Sequence, residues 1–164
     1  MEHVVIPKNL KNLGEAAFYG CTSLSDFELL APVDSIQDRL LYNCISLKTV
    51  KIPEGVKSIN QYAFAGCKNL KSICFPESLE FIGDLAFVQT GLKTIIIPKN
   101  VKELKRYVIN AGVDVTIYSM SPVPPIAISG DYSTFGESAG VLYVPTGCKA
   151  AYMAADGWKE FKEV

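Results

Sequence analysis

The chain has 164 residues, 49% of them apolar, with 16 basic against 17 acidic side chains and a net charge of −1. This length suits one domain with a real core, and the apolar content excludes disorder. The even charge balance argues against nucleic acid or an anionic membrane as the main partner. A single histidine, His3, leaves little for His-based acid–base or metal chemistry, so composition leans toward binding or scaffolding. No apolar run approaches the ~18 residues that a bilayer-spanning helix needs. The first seven residues also lack the basic start, apolar middle and small-residue cleavage site of a signal peptide.

The elements follow one another as copies of a single unit. Val4 and Ile6 occupy strand positions, Pro7 ends that strand, and Leu10/Leu13, Ala17-Phe18, Cys21 and Leu24 follow. Residues 24–29 (LSDFEL) begin the second unit. Leu30 stands in the proline slot, followed by Val33/Ile36, Leu40-Leu41, Cys44 and Leu47. Residues 47–52 (LKTVKI) begin the third unit, with Pro53, Val56/Ile59, Ala63-Phe64, Cys67 and Leu70. The fourth begins with LKSICF, then Pro76, Leu79/Ile82 and Ala86-Phe87, and is one residue shorter at Thr90-Gly91. The fifth begins at Leu92 with LKTIII, then Pro98, Val101/Leu104 and Val108-Ile109. A period near 23 residues lies in the range of leucine-rich repeats.

The period carries its own physics. In L-x-x-L-x-L the last two apolar positions alternate as on a strand with one buried face. Phe27/Leu29, Val50/Ile52, Ile73/Phe75 and Ile95/Ile97 are therefore expected to point inward, on parallel strands one coil apart. Proline ends each strand where a missing N–H does least harm. The Ala-Phe segment and its equivalents are expected to return the chain through a short turn of α- or 3₁₀-helix. Each coil buries little alone, and stacking makes the core continuous.

After Tyr118 the pattern breaks. Residues 119–140 are rich in Ser, Pro and Gly and read as an extended loop. A strand resumes at Leu142 and stops at Pro145. A helix over 148–156 is expected, with Thr146 as N-cap and Gly157 just past its end. Trp158 and Phe161 should fold back over the last coil. The expected organisation is leucine-rich repeats over residues 1–118, beginning mid-repeat as a piece of something longer, and a C-terminal capping segment over 119–164. An uncapped first coil predicts an apolar end at Val4, Ile6, Leu10 and Leu13 that favours self-association.

The unit I-P-x-x-V-x-x-I-x-x-x-A-F-x-G-C-x-x-L-x-x-I, clearest over residues 52–73, resembles the BspA-like leucine-rich repeat, also called the Treponema pallidum type. The tail, with Leu142-Tyr143-Val144-Pro145, Ala151-Tyr152 and Gly157-Trp158, is similar to the C-terminal end of such proteins from Bacteroides relatives. The resemblance implies a leucine-rich-repeat solenoid from a bacterial surface or secreted protein. It also implies a non-catalytic part in adhesion, with a protein ligand from host matrix or bacterial surfaces. A structural spacer and a carbohydrate-binding module within a larger polypeptide stand as alternatives.

Candidate chemistry is sparse. Cys21, Cys44 and Cys67 share one slot and read as small buried corner residues. Stacked in line, they suit neither disulfide geometry nor tetrahedral zinc. Cys74 should point outward. No nucleophile elbow, P-loop, C-x-x-C or H-E-x-x-H occurs. Asp131, Ser133 and Thr134 read as a turn rather than an ion site. No cofactor or metal is expected. Binding is expected on the outward strand positions, which form two ladders: Asp26, Thr49, Ser72, Thr94, and Glu28, Lys51, Cys74, Ile96. Lys48, Lys71 and Lys93 make a basic column beside them. The proline-rich loop with Tyr132 and Phe135 is a second candidate surface.

Overall fold

A computed structural model describes residues 2–109, 115–136 and 140–161. The chain winds as a β-solenoid of parallel strands with a narrow apolar core. The first column of strands holds β1 (His3–Ile6), β2 (Asp26–Leu29), β4 (Thr49–Lys51), β7 (Thr94–Ile97), β9 (Thr116–Ser119) and β10 (Leu142–Tyr143). Every pairing in it is parallel; the repeat strands pair in register at one repeat step, such as Phe27 with Val50 and Ile95 with Ile117, and β10 joins β9 across the longer loop.

This column is split. The order is β1-β2-β4 in one three-stranded sheet and β10-β9-β7 in another. The strand expected over residues 72–75 is not formed, and no ladder hydrogen bond joins that segment to either neighbour. The side chains beneath the break reflect this. Phe27, Leu29, Ile95 and Ile97 are buried as expected, whereas Val50, Ile52, Ile73 and Phe75 are only half-buried.

A second sheet faces the first across the core. It comprises β3 (Ser35–Ile36), β5 (Ser58–Ile59), β6 (Phe81–Ile82) and β8 (Glu103–Leu104), in the order β3-β5-β6-β8. Each strand is two residues long, one half-exposed and one buried. The proline-rich segment lays Ile126 as a bridge beside Glu103 and extends this sheet by one coil. That segment is thus anchored to the solenoid.

The returns are woven turns rather than helices. Tyr62, Phe64 and Gly66 donate their N–H groups to the carbonyls of Asp84, Ala86 and Val88 in the next coil, at 3.0, 2.9 and 2.9 Å. The alternate N–H groups of Ala65 and Cys67 bond back three residues, to Tyr62 and Phe64. A helix would need all of them to bond locally. The same weave ties Ala16 to Asp38, Arg39 to Gln61 and Leu85 to Arg106. These first residues of the returns, with Tyr107, take φ between 49° and 57°. Holding non-glycine residues there costs energy that the inter-coil bonds offset.

The core runs between the two sheets. The Leu24, Leu47, Leu70 and Leu92 ladder forms one wall, and Phe64 stacks on Phe87 with centroids 5.2 Å apart. The first coil is less open than expected. Val4 and Ile6 are only 9% and 7% exposed because they point across the coil onto the interior, while Leu10 and Leu13 are half-buried. In the C-terminal segment the helix α1 (Lys149–Ala154) is shorter than expected. It is capped at Cys148 rather than Thr146, with no side-chain cap bond, while Gly157 has the anticipated positive φ of 74°. Trp158 and Phe161 are buried and pack on Phe135, which also belongs to the core and not to a binding loop. No helix among the described residues is long and apolar enough to cross a membrane.

Candidate functional site

The outward residues of the first column make a face of two rows, interrupted at the break between its two sheets. Strand alternation puts every second side chain here. The register aligns His3, Asp26 and Thr49, then Thr94 and Thr116, along one row. Val5, Glu28 and Lys51, then Ile96, Tyr118 and Tyr143, form the other. Ser72 and Cys74 are exposed at the break between the two halves.

The two halves differ in chemistry. In the first half the polar groups satisfy one another. Thr49 Oγ1 donates to Asp26 Oδ1 at 2.5 Å, Ser25 Oγ donates to Asp26 Oδ2 at 2.6 Å, and Lys51 Nζ pairs with Glu28 Oε1 at 3.0 Å. The Ser25 and Thr49 hydroxyls, helped by Lys48 and His3, hold the Asp26 carboxyl below the usual range. An exposed, self-paired set of this kind contributes little to stability and offers few free groups. In the second half the row is apolar. Ile96 is 55% exposed, Tyr118 36% and Tyr143 50%, and the two tyrosine rings stack with centroids 4.6 Å apart.

All eight residues expected to line the strand face are outward-facing and at least partly exposed. The four in the first half are tied up with one another, and Ile96 is joined by two tyrosines that the repeat reading left out. Their signal was available: Tyr118 lies one repeat step after Ile96, and Tyr143 sits in the same slot of the strand that resumes after the loop. The lysine column is present as expected. Lys48, Lys71 and Lys93 are exposed beside the first row, and none forms an ion pair among the described residues.

Other groups serve the fold. Cys44 and Cys67 are buried, their thiols donating to the carbonyls of Phe18 and Leu41 at 3.1 and 3.2 Å. Burial pushes the Cys44 thiol up to about 11 and Cys67 higher still, so both are neutral and unreactive. All five cysteines are free, and Cys74 is exposed. Among the described residues, no cluster of three or more His, Cys, Asp or Glu side chains is placed to hold a metal. A cleft of about 730 Å³ is lined by Leu85, Tyr107, Asp131, Ser133 and Glu160. Glu160 is committed there to structure, accepting from Ser133 Oγ at 2.6 Å and from the Gly130 N–H at 3.1 Å. Thr134 is buried and accepts from the Ile128 N–H. Tyr19, Tyr42 and Tyr62 form a further aromatic row on the returns, with Arg39 over Tyr62.

The chain resembles several solved structures. A leucine-rich repeat protein from Bacteroides ovatus matches at 25% identity and a TM-score of 0.69, over 87% of this chain and 45% of that one. A T. pallidum leucine rich repeat protein matches at 29% identity and 0.66, over 71% and 57%. A leucine rich cell surface protein from Faecalibacterium prausnitzii matches at 27% and 0.56, over 80% and 41%. The chain thus spans about half the length of these relatives. No curated protein matches it. The description "BspA type Leucine rich repeat region" matches residues 1–112 in six copies, where the spacing alone distinguishes five units. On that match, supported by the parallel 23-residue coils, the chain belongs to the BspA-type leucine-rich repeat family.

Proposed function

We propose that this chain is a non-catalytic protein-interaction module of a longer bacterial surface or secreted protein. Its binding centre is the apolar half of the sheet face: Ile96, Tyr118 and Tyr143. One observation carries the reading. Three large apolar or aromatic side chains stand adjacent and exposed on a rigid, in-register strand column, at a cost in solvation that folding alone does not require. Tyrosine-rich centres of this kind supply most of the binding energy in protein interfaces. The cell-surface name of the Faecalibacterium relative supports the location, and the role proposed for the module there is adhesion to host-matrix or bacterial surface proteins. The stacked rings of Tyr118 and Tyr143 cover one face of each other, which suits side-chain packing better than a flat sugar platform. Residues 119–164 would close the solenoid.

The test is binding to a panel of purified extracellular-matrix and bacterial surface proteins, with variants on two faces. The triple change Ile96→Ser, Tyr118→Ser, Tyr143→Ser should weaken any binding by about thirtyfold or more, as expected for hot-spot positions. Tyr19→Ser, on the returns, should leave it unchanged. Binding that survives the triple change sinks the sheet-face assignment.

A further inference from the structure

The acidic residues of the sheet face are unevenly placed. Asp26 and Glu28 both lie in its first half, and both are already engaged, by Ser25 and Thr49 and by Lys51. From the break onward the outward positions are Ser72, Cys74, Thr94, Ile96, Thr116, Tyr118 and Tyr143, with no carboxylate among them. Lys71 and Lys93 flank this stretch, exposed and without an ion-pair partner among the described residues. Lys71 and Lys93 hold the same slot in neighbouring coils, and Lys93 immediately precedes the strand that carries Ile96, so the two ammonium groups lie on the serine and threonine side of the face. A chain with net charge −1 thus presents two exposed lysines, and no carboxylate at these outward positions, on the same half of the face as the stacked Tyr118–Tyr143 pair.

We infer that the partner of this face is an acidic protein segment, with carboxylates meeting Lys71 and Lys93 and an apolar or aromatic side chain packing against Ile96, Tyr118 and Tyr143. The inference rests on the sheet-face reading and adds the partner's chemistry to it. Charge complementarity at the rim steers encounter, while the apolar centre supplies affinity. An acidic polysaccharide would answer the lysines but leave the aromatic row without a counterpart.

The experiment uses the whole chain and three polymer probes: poly(Glu,Tyr), poly-Glu and heparin. Poly(Glu,Tyr) should bind most tightly. Its binding should fall at least about tenfold in the Lys71→Glu, Lys93→Glu variant and weaken as salt rises, because charges are screened over about 10 Å at 0.1 M. The charge reversal Lys102→Glu, away from this face, should have little effect. Circular dichroism of the variants checks that the fold persists. Tighter binding of heparin than of poly(Glu,Tyr), or indifference to the Lys71/Lys93 change, overturns the inference. If the serine triple variant loses binding to matrix or surface proteins while the lysine variant keeps it, the sheet face stands and the acidic partner falls. If neither variant matters, both fall.

Discussion

At the scale of single residues, close backbone approach decides which positions are irreplaceable. Gly91 stands where the fourth coil is one residue short. A Cβ there would lie 2.5 Å from the Lys68 carbonyl oxygen and 3.2 Å from that of Leu70. Both are main-chain atoms of the preceding coil and cannot swing aside. Gly91→Ala should therefore destabilise the fold by about 1–3 kcal/mol, as overpacking does. Gly14, with nothing within 4 Å of its Cβ position, provides the control, and Gly14→Ala should be neutral or slightly stabilising. Urea midpoints of the two variants measure the difference, and equal midpoints would refute the close-approach account. The shortened corner at Gly91 was legible in the sequence, because a missing residue within a strict period can only be absorbed by a tighter turn. The engagement of Glu28 by Lys51 was legible too, since equal slots on parallel strands become neighbours. The row of Ile96, Tyr118 and Tyr143 was legible in its slots, Tyr118 lying one repeat step after Ile96 and Tyr143 holding the same place in the resumed strand. What periodicity does not record is the path of the intervening loop, which sets Tyr143 against Tyr118.

At the scale of elements, the fold is held by bonds between coils more than within them. The returns show this best. Alternate N–H groups reach the next coil, so a return takes its shape only when its neighbour is in place. Asp84 reinforces the same seam. It accepts the Arg106 backbone N–H at 2.9 Å and pairs with its guanidinium at 2.6 Å, which holds the Asp84 carboxyl below the ordinary range. A local reading of the Ala-Phe segment as helical turns misses this, because the competing partner lies one period away. The second sheet escaped for a related reason: two-residue strands carry no alternation to detect. The break at residues 72–75 is the opposite case. The sequence LKSICF fits the strand template as well as its neighbours do, yet the ladder is not made. Amide hydrogen exchange should find Lys71, Ser72, Ile73, Cys74 and Phe75 exchanging far faster than Phe27, Leu29, Ile95 and Ile97, whose strands are paired. Equal protection across all these strands would show that the column is continuous in solution.

At the scale of the whole molecule, a solenoid in which each coil touches only its neighbours has stability that is close to a sum of coil and interface terms. Its ends then matter most. The C-terminal segment carries an aromatic cluster of its own: Phe135 lies 4.8 Å from Trp158 and 5.0 Å from Phe161, and Tyr152 lies 5.0 Å from Trp158. Trp158 Nε1 donates to the Pro125 carbonyl at 2.7 Å, which fastens the proline-rich segment to this cluster. Trp158 is also the sole tryptophan, so its fluorescence reports this end alone, while far-UV circular dichroism reports all the coils. Phe135→Ala removes the ring that touches both Trp158 and Phe161, at a cost of about 3–5 kcal/mol for a buried phenylalanine. If the solenoid behaves as a linear array, the loss stays local. The fluorescence transition should move to lower urea, and the dichroism should keep a later phase from the repeats. The wild-type chain should show the two signals much closer together. If both signals of the variant move down together, the molecule unfolds as a single unit. The nearest-neighbour account would then be wrong, and the C-terminal segment would be as much a part of the core as any repeat.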